Sequence, residues 1–161
     1  MTDPGPSSVG FSIAFADIPD PDFADAAIVA IPDSKDPIPT DPTWWAERVF
    51  SVSAAPRWVV ALLAMRQALV RLIGVNRASA SVFDVDRVEG REALIAEDDR
   101  HLDFRAGVHV DPQRRLLQVT TVVRLHGWRG RIYWLPVSLL HGPITRSMTK
   151  RAVRDFVRNG A

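Results

Sequence analysis

The stretch RHLDFRAGVHVDPQRRLLQVTTVVRLHGWRGRIYWLPVSLLH, residues 100–141, constrains the fold more than any other part of the chain. Leu102, Phe104, Ala106, Val108 and Val110 alternate with His101, Asp103, Arg105 and His109, the period-2 signature of a half-buried strand. Asp111-Pro112 supplies a turn, and LLQVTTVVRL then forms a second strand-like run rich in Val, Thr and Leu. After His126-Gly127 and Gly130, residues 131–139 read as a third strand, so the stretch predicts a meander of three antiparallel strands. With short turns Phe104 falls opposite Thr121, and Thr121 opposite Trp134. Leu102, Val119, Val123 and Ile132 share that side as the core face. The other side gathers His101, Arg124 and Arg131 in one row and Asp103, Val122 and Tyr133 in the next. A slip of one residue in either turn would exchange the faces.

The remaining elements look like what is needed to cover such a sheet. Residues 1–10 are Pro, Gly and Ser with little to bury and are expected to be disordered. FADAAIVAI, residues 23–31, has the composition of a first strand, and the four prolines of PDSKDPIPTDP make the following segment a loop. Asp41-Pro42 is a cap followed by a first-turn proline and predicts a short helix through TWWAERVF. Pro56 opens a second helix, RWVVALLAMRQALVRLIG, with Trp58 on an apolar side that takes up most of its circumference. Residues 81–88 and 92–96 read as two weaker strands. Gly142-Pro143 reads as the start of a C-terminal helix in which Ile144, Met148, Ala152 and Phe156 recur every four residues. Strand, helices, a run of strands and one last amphipathic helix is an α+β order in a single domain over residues 11–161.

Composition removes several classes of function. Twenty basic and 19 acidic residues give a net charge of +1, so no overall field points to nucleic acid or an anionic membrane as partner. The absence of cysteine removes disulfides and thiolate metal sites together. No export signal or spanning segment is evident, and a cytoplasmic protein without a cofactor is expected. His101 and His109 lie about 26 Å apart along a strand at ~3.3 Å per residue, too far to share an ion, so no metal site is expected. Neither a glycine-rich phosphate loop nor a Gly-x-Ser-x-Gly elbow occurs.

The segments APRWV, MRQALVRLIG, EDDRHLDFR and GRIYWLPVSLLHGPI, in that order, resemble a bacterial family, domain of unknown function 2867, over nearly all of the chain. That family is similar to the Bet v 1, or helix-grip, superfamily. There a curved antiparallel sheet wraps a long C-terminal helix, two short helices follow the first strand, and a cavity lies between sheet and helix. The resemblance implies a small-molecule pocket and supplies no catalytic residues. Because the family also occurs fused behind dehydrogenase-like domains, it further implies a dehydrogenase-like protein partner as one alternative.

The leading expectation is therefore a protein that binds a small, largely apolar molecule between sheet and helix. Leu102, Phe104, Trp134, Ile144 and Met148 would border the cavity, His141 would be a pocket group, and Trp44 and Trp45 would stand near its mouth beside the proline-rich loop. The competing expectation is a small acid-base enzyme, a cyclase, dehydratase or isomerase. Its working row would be His101, Asp103, Arg105 and Tyr133, an imidazole and a carboxylate close enough to orient one another, and it requires that this row face the cavity. The plainer explanation of the same row is cross-strand ion pairs on a half-exposed face.

Overall fold

The computed structural model of the protein describes residues 12–51 and 84–160; of Tyr133 only the backbone is described. The elements are α1 (Ala14–Asp17), β1 (Phe23–Ala30), α2 (Pro42–Val49), β2 (Arg87–Glu89), β3 (Glu92–Asp98), β4 (Leu102–Asp111), β5 (Leu116–Leu125) and α3 (Gly127–Asn159). The expected helix at 56–74, with Trp58, lies outside the described residues, as do the N-terminal tail and the first part of the strand expected at 81–88. The five strands form one curved antiparallel sheet in the order β1-β5-β4-β3-β2. α3 packs against β1, β5 and α2, and α2 packs against β3 and β4. This is the α+β arrangement expected, a sheet gripping a long C-terminal helix.

Pairing of β4 with β5 sets Phe104 opposite Val123 and Ala106 opposite Thr121. The expected pairing of Phe104 with Thr121 is thus off by two positions, and because the side-chain period is also two, the predicted faces survive. The inner face carries Ala93, Val108, Val110, Leu117 and Val119, which join Ile31, Trp45, Val49, Ala152, Val153 and Phe156 in the main core. The expected cap of α2 is present, with the Asp41 carboxylate accepting from Thr43 N at 2.9 Å and Pro42 at the first helical position.

The third strand of the expected meander does not exist. Residues 131–139 belong to α3, which begins at Gly127 and runs 33 residues with Pro136 and Pro143 inside it, so Gly142-Pro143 is not its start. Trp134, His141, Thr145, Thr149, Ala152 and Phe156 recur at helical spacing on one side, while Trp128, Ile132, Leu135 and Leu139 recur on another and stay exposed. Two apolar helix faces merge in sequence into a run that imitates a strand. Gly127, at a φ of 65°, turns the chain out of β5 in a conformation that other residues adopt only with strain.

The outer face is covered in part by α1. Leu94 and Val122 pack with Ala14, and the buried Glu92 carboxylate accepts from the Ser12 hydroxyl and, at 3.2 Å, from Ile13 N. Asp17 receives Arg87 Nη2 at 2.7 Å and Arg105 Nε at 2.8 Å. These guanidinium hydrogen bonds, that of Arg87 foremost, hold its carboxyl below the usual range against the opposing effect of burial.

Candidate functional site

The inner face divides into two zones. Toward the C-terminal end of α3 it is sealed by Trp45, Phe156 and their aliphatic neighbours. Where the first half of α3 crosses β1, aromatic and polar side chains replace them. Phe23 and Asp25 are inward-facing residues of the edge strand β1, paired with Val123 and Thr121 of β5. The Phe23 ring lies 5.1 Å from Trp134 and 5.4 Å from His141, both edge-on, and Trp134 lies 5.9 Å from His141.

The polar groups converge on His141. Its Nδ1 lies 3.4 Å from Asp25 Oδ2 and 3.4 Å from the Thr145 hydroxyl. Gly142 lies beside the pair, and a β-carbon there would be in ordinary contact with Asp25 Oδ2 at 3.4 Å. Asp25 is only partly buried, and His141 is its charge partner on this side of the sheet. With the Asp25 carboxyl oxygen facing Nδ1, the tautomer with its proton on Nδ1 donates toward Asp25 and leaves the Nε2 lone pair available to accept a proton or hydrogen bond.

Burial lowers the His141 pKa below its ordinary 6.5, and the hydrogen bond and charge of Asp25 offset this only in part. A depressed folded-state value means that His141 contributes stability above pH 6.5, and that this is lost as the pH falls through the lowered value. Wild-type protein is therefore expected to lose more unfolding free energy between pH 8 and pH 5 than His141→Gln. Equal losses in urea titrations at the two pH values would remove His141 as the cause.

One polar atom in this zone lacks a partner. Trp134 is 8% exposed, and among the described residues its indole Nε1 is the buried side-chain polar atom without a hydrogen bond. Such a donor is rare in a folded protein, and each one asks for an acceptor.

Leu102 and Phe104 are half-buried on the inner face, with Phe104 in the same cross-sheet row as Val123 and Phe23. Ile144 is half-buried, and Met148 packs on the main core. Trp44 and Trp45 lie against Phe156, at the sealed zone. Trp45 is wholly buried, with Nε1 donating to Pro39 O at 2.9 Å, so it is core and not the edge of a pocket mouth. A cleft of about 540 Å3 between residues 33–36 and 157–160 lies at the far end of α3 from His141.

The proposed acid-base row does not form. Asp103 and Arg105 project from the face of β4 opposite α3. Asp103 Oδ1 pairs with His126 Nε2 at 2.9 Å, and Arg105 bonds Asp98 and Asp17 at 2.6 and 2.8 Å. His101 precedes β4 and is buried, and Tyr133 lies in α3 and not on a strand. The condition that this row line the space beneath the helix is unmet, and cross-strand and loop ion pairs explain it. Sequence reasoning missed Phe23, Asp25 and Thr145. The available signal was the acid in the inward series Phe23, Asp25, Ala27, Val29. Thr145 lay inside the expected C-terminal helix but off its Ile144–Met148 series, and His141 joined that helix only with α3 beginning at Gly127.

Among the described residues, no group of three or more His, Asp or Glu side chains is placed to hold a metal ion, and no helix is long and apolar enough to cross a membrane. No curated protein and no solved structure matches the chain. The model of the family described as "Protein of unknown function (DUF2867)" matches residues 18–148, and with most of its length so covered the chain belongs to that family.

Proposed function

We propose that this protein binds a small, largely apolar molecule between the sheet and the first half of α3, in the manner of a Bet v 1-like helix-grip protein. The molecule would carry one hydrogen-bond acceptor, a carbonyl or hydroxyl oxygen. The observation that carries this reading is the buried, unpartnered Trp134 Nε1 beside Phe23 and His141. Aromatic walls with a few convergent polar groups are the usual composition of a small-molecule site.

A panel of ring compounds with and without a carbonyl, competed against 1-anilinonaphthalene-8-sulfonate fluorescence, tests it. Trp134→Phe is expected to weaken carbonyl-bearing compounds about tenfold, the ~1–2 kcal/mol of one buried hydrogen bond, and to leave their hydrocarbon counterparts nearly unchanged. Equal losses for both series would remove the indole as anchor. Failure of every compound to bind would count against the site.

The Asp25–His141 pair favours a second reading, in which the bound molecule is transformed by proton transfer. A neutral imidazole oriented by a carboxylate is a suitable general base near neutral pH. A change in ligand mass or structure after incubation with wild-type protein, lost in His141→Gln, would distinguish this from binding alone.

A further inference from the structure

The side of α3 turned away from Trp134 and His141 is an unexplained surface. Trp128, Ile132, Leu135 and Leu139 are 65, 60, 69 and 75% exposed, far more than scattered surface apolar residues would require. Their 4-3-4 spacing places them within about 60° of one another around the helix and along about 17 Å of its length. The exposed Pro136 and Leu140 border this stripe on the side of Arg129, and a stripe of this length matches one face of a partner helix.

Charge selects the occupant. Arg129 and Arg131 flank the seam on its two sides, and no Asp or Glu occurs from residue 127 to residue 154. Among the described residues neither arginine makes an ion pair; Arg129 stacks over the Trp128 ring at 5.4 Å. A second copy of this chain would bring arginines against arginines. Residues 52–83 of the same chain carry Arg57, Arg66, Arg71 and Arg77 and no acid, so they complement the flanks no better.

We infer that the seam of Trp128, Ile132, Leu135 and Leu139 docks an amphipathic helix of another protein, whose apolar stripe is flanked by acidic residues. Three turns of helix bury less than the roughly 1,200–2,000 Å2 of a stable interface, so the contact is of the transient kind. Flanking charge sets partner choice, as it does at the edges of a coiled coil.

The test uses the full chain and two labelled 21-residue helical peptides with the same apolar stripe, one flanked by Glu and one by Lys. Fluorescence anisotropy is expected to show micromolar binding of the Glu peptide, at least about tenfold tighter than the Lys peptide. The double variant Arg129→Glu, Arg131→Glu should reverse the order. Ile132→Ser with Leu139→Ser should abolish both without moving the melting temperature. Equal affinity for the two peptides would overturn the inference. So would self-association abolished by the serine pair, which gives the seam to a second copy. Sedimentation with phosphatidylglycerol vesicles in the absence of peptide binding would give it to lipid. A serine pair that lowers the melting temperature by several degrees, with no peptide bound, would give it to the chain's own residues.

Discussion

Trp45→Ala is expected to destabilise the protein by about 3–5 kcal/mol, the usual cost of deleting a large aromatic side chain from a core. The side chain is wholly buried, its ring lies 5.4 Å from Phe156 and 4.7 Å from Trp44, and its indole donates to Pro39 O at 2.9 Å. It thereby joins α2, α3 and the proline-rich loop, and alanine would release all three contacts together. Because small domains are stable by only about 5–15 kcal/mol, the variant should sit near the edge of folding. Trp45→Phe keeps most of the packing and loses chiefly the hydrogen bond, for about 1 kcal/mol. Urea unfolding of both variants measures the difference. A Trp45→Ala cost below that of the phenylalanine variant would show that the ring does not hold the helices to the sheet.

The second large effect is expected at Gly130. Alanine in a helix interior ordinarily gains about 1 kcal/mol over glycine. Here a β-carbon would run into the carbonyl oxygen of His101, a backbone atom that already accepts His126 N at 2.8 Å and cannot move aside. The first turns of α3 would have to lift from the start of β4, for a net loss of about 1–3 kcal/mol. Trp134 stands one turn further along the same helix, so binding of carbonyl-bearing ligands should weaken with stability. Gly142→Ala meets no such obstacle across the fold, since Asp25 Oδ2 is 3.4 Å away in ordinary contact; because Pro143 follows and its ring disfavours a β-carbon before it in a helix, the helix gain is offset and a change near zero is expected. Thermal unfolding of the two variants side by side checks this. A destabilised Gly142→Ala with an unaffected Gly130→Ala would contradict the way α3 is seated.

The two variants also show where local sequence and tertiary structure part company. That Pro143 limits any residue at 142 is legible in the sequence; that the His101 carbonyl blocks a side chain at 130 is set only by the assembled fold. The same limit applies to Asp103 and Arg105. Their alternation with Leu102 and Phe104 correctly put them on the outer side of β4. That Asp17 and His126 would meet them there depends on α1 and on the turn after β5, which the strand's own residues do not specify.

Alternation in residues 102–111 and 116–125, the cap at Asp41-Pro42 and the apolar run of β1 were enough to determine strands β1, β4 and β5, the face they turn to the helix and the α+β class, though not that residues 131–139 leave the sheet. Each follows from a local rule about backbone preference or from a period that one face of an element must obey. The length of α3 was decided only in the assembled molecule. Its first half carries apolar residues on two sides, and which side is buried depends on β1, a strand some hundred residues earlier in the chain. The candidate site has the same origin. Asp25 and His141 are unremarkable where they stand in the sequence, and they become a pair because β1 is an edge strand over which the helix passes, a long-range contact that no local pattern encodes.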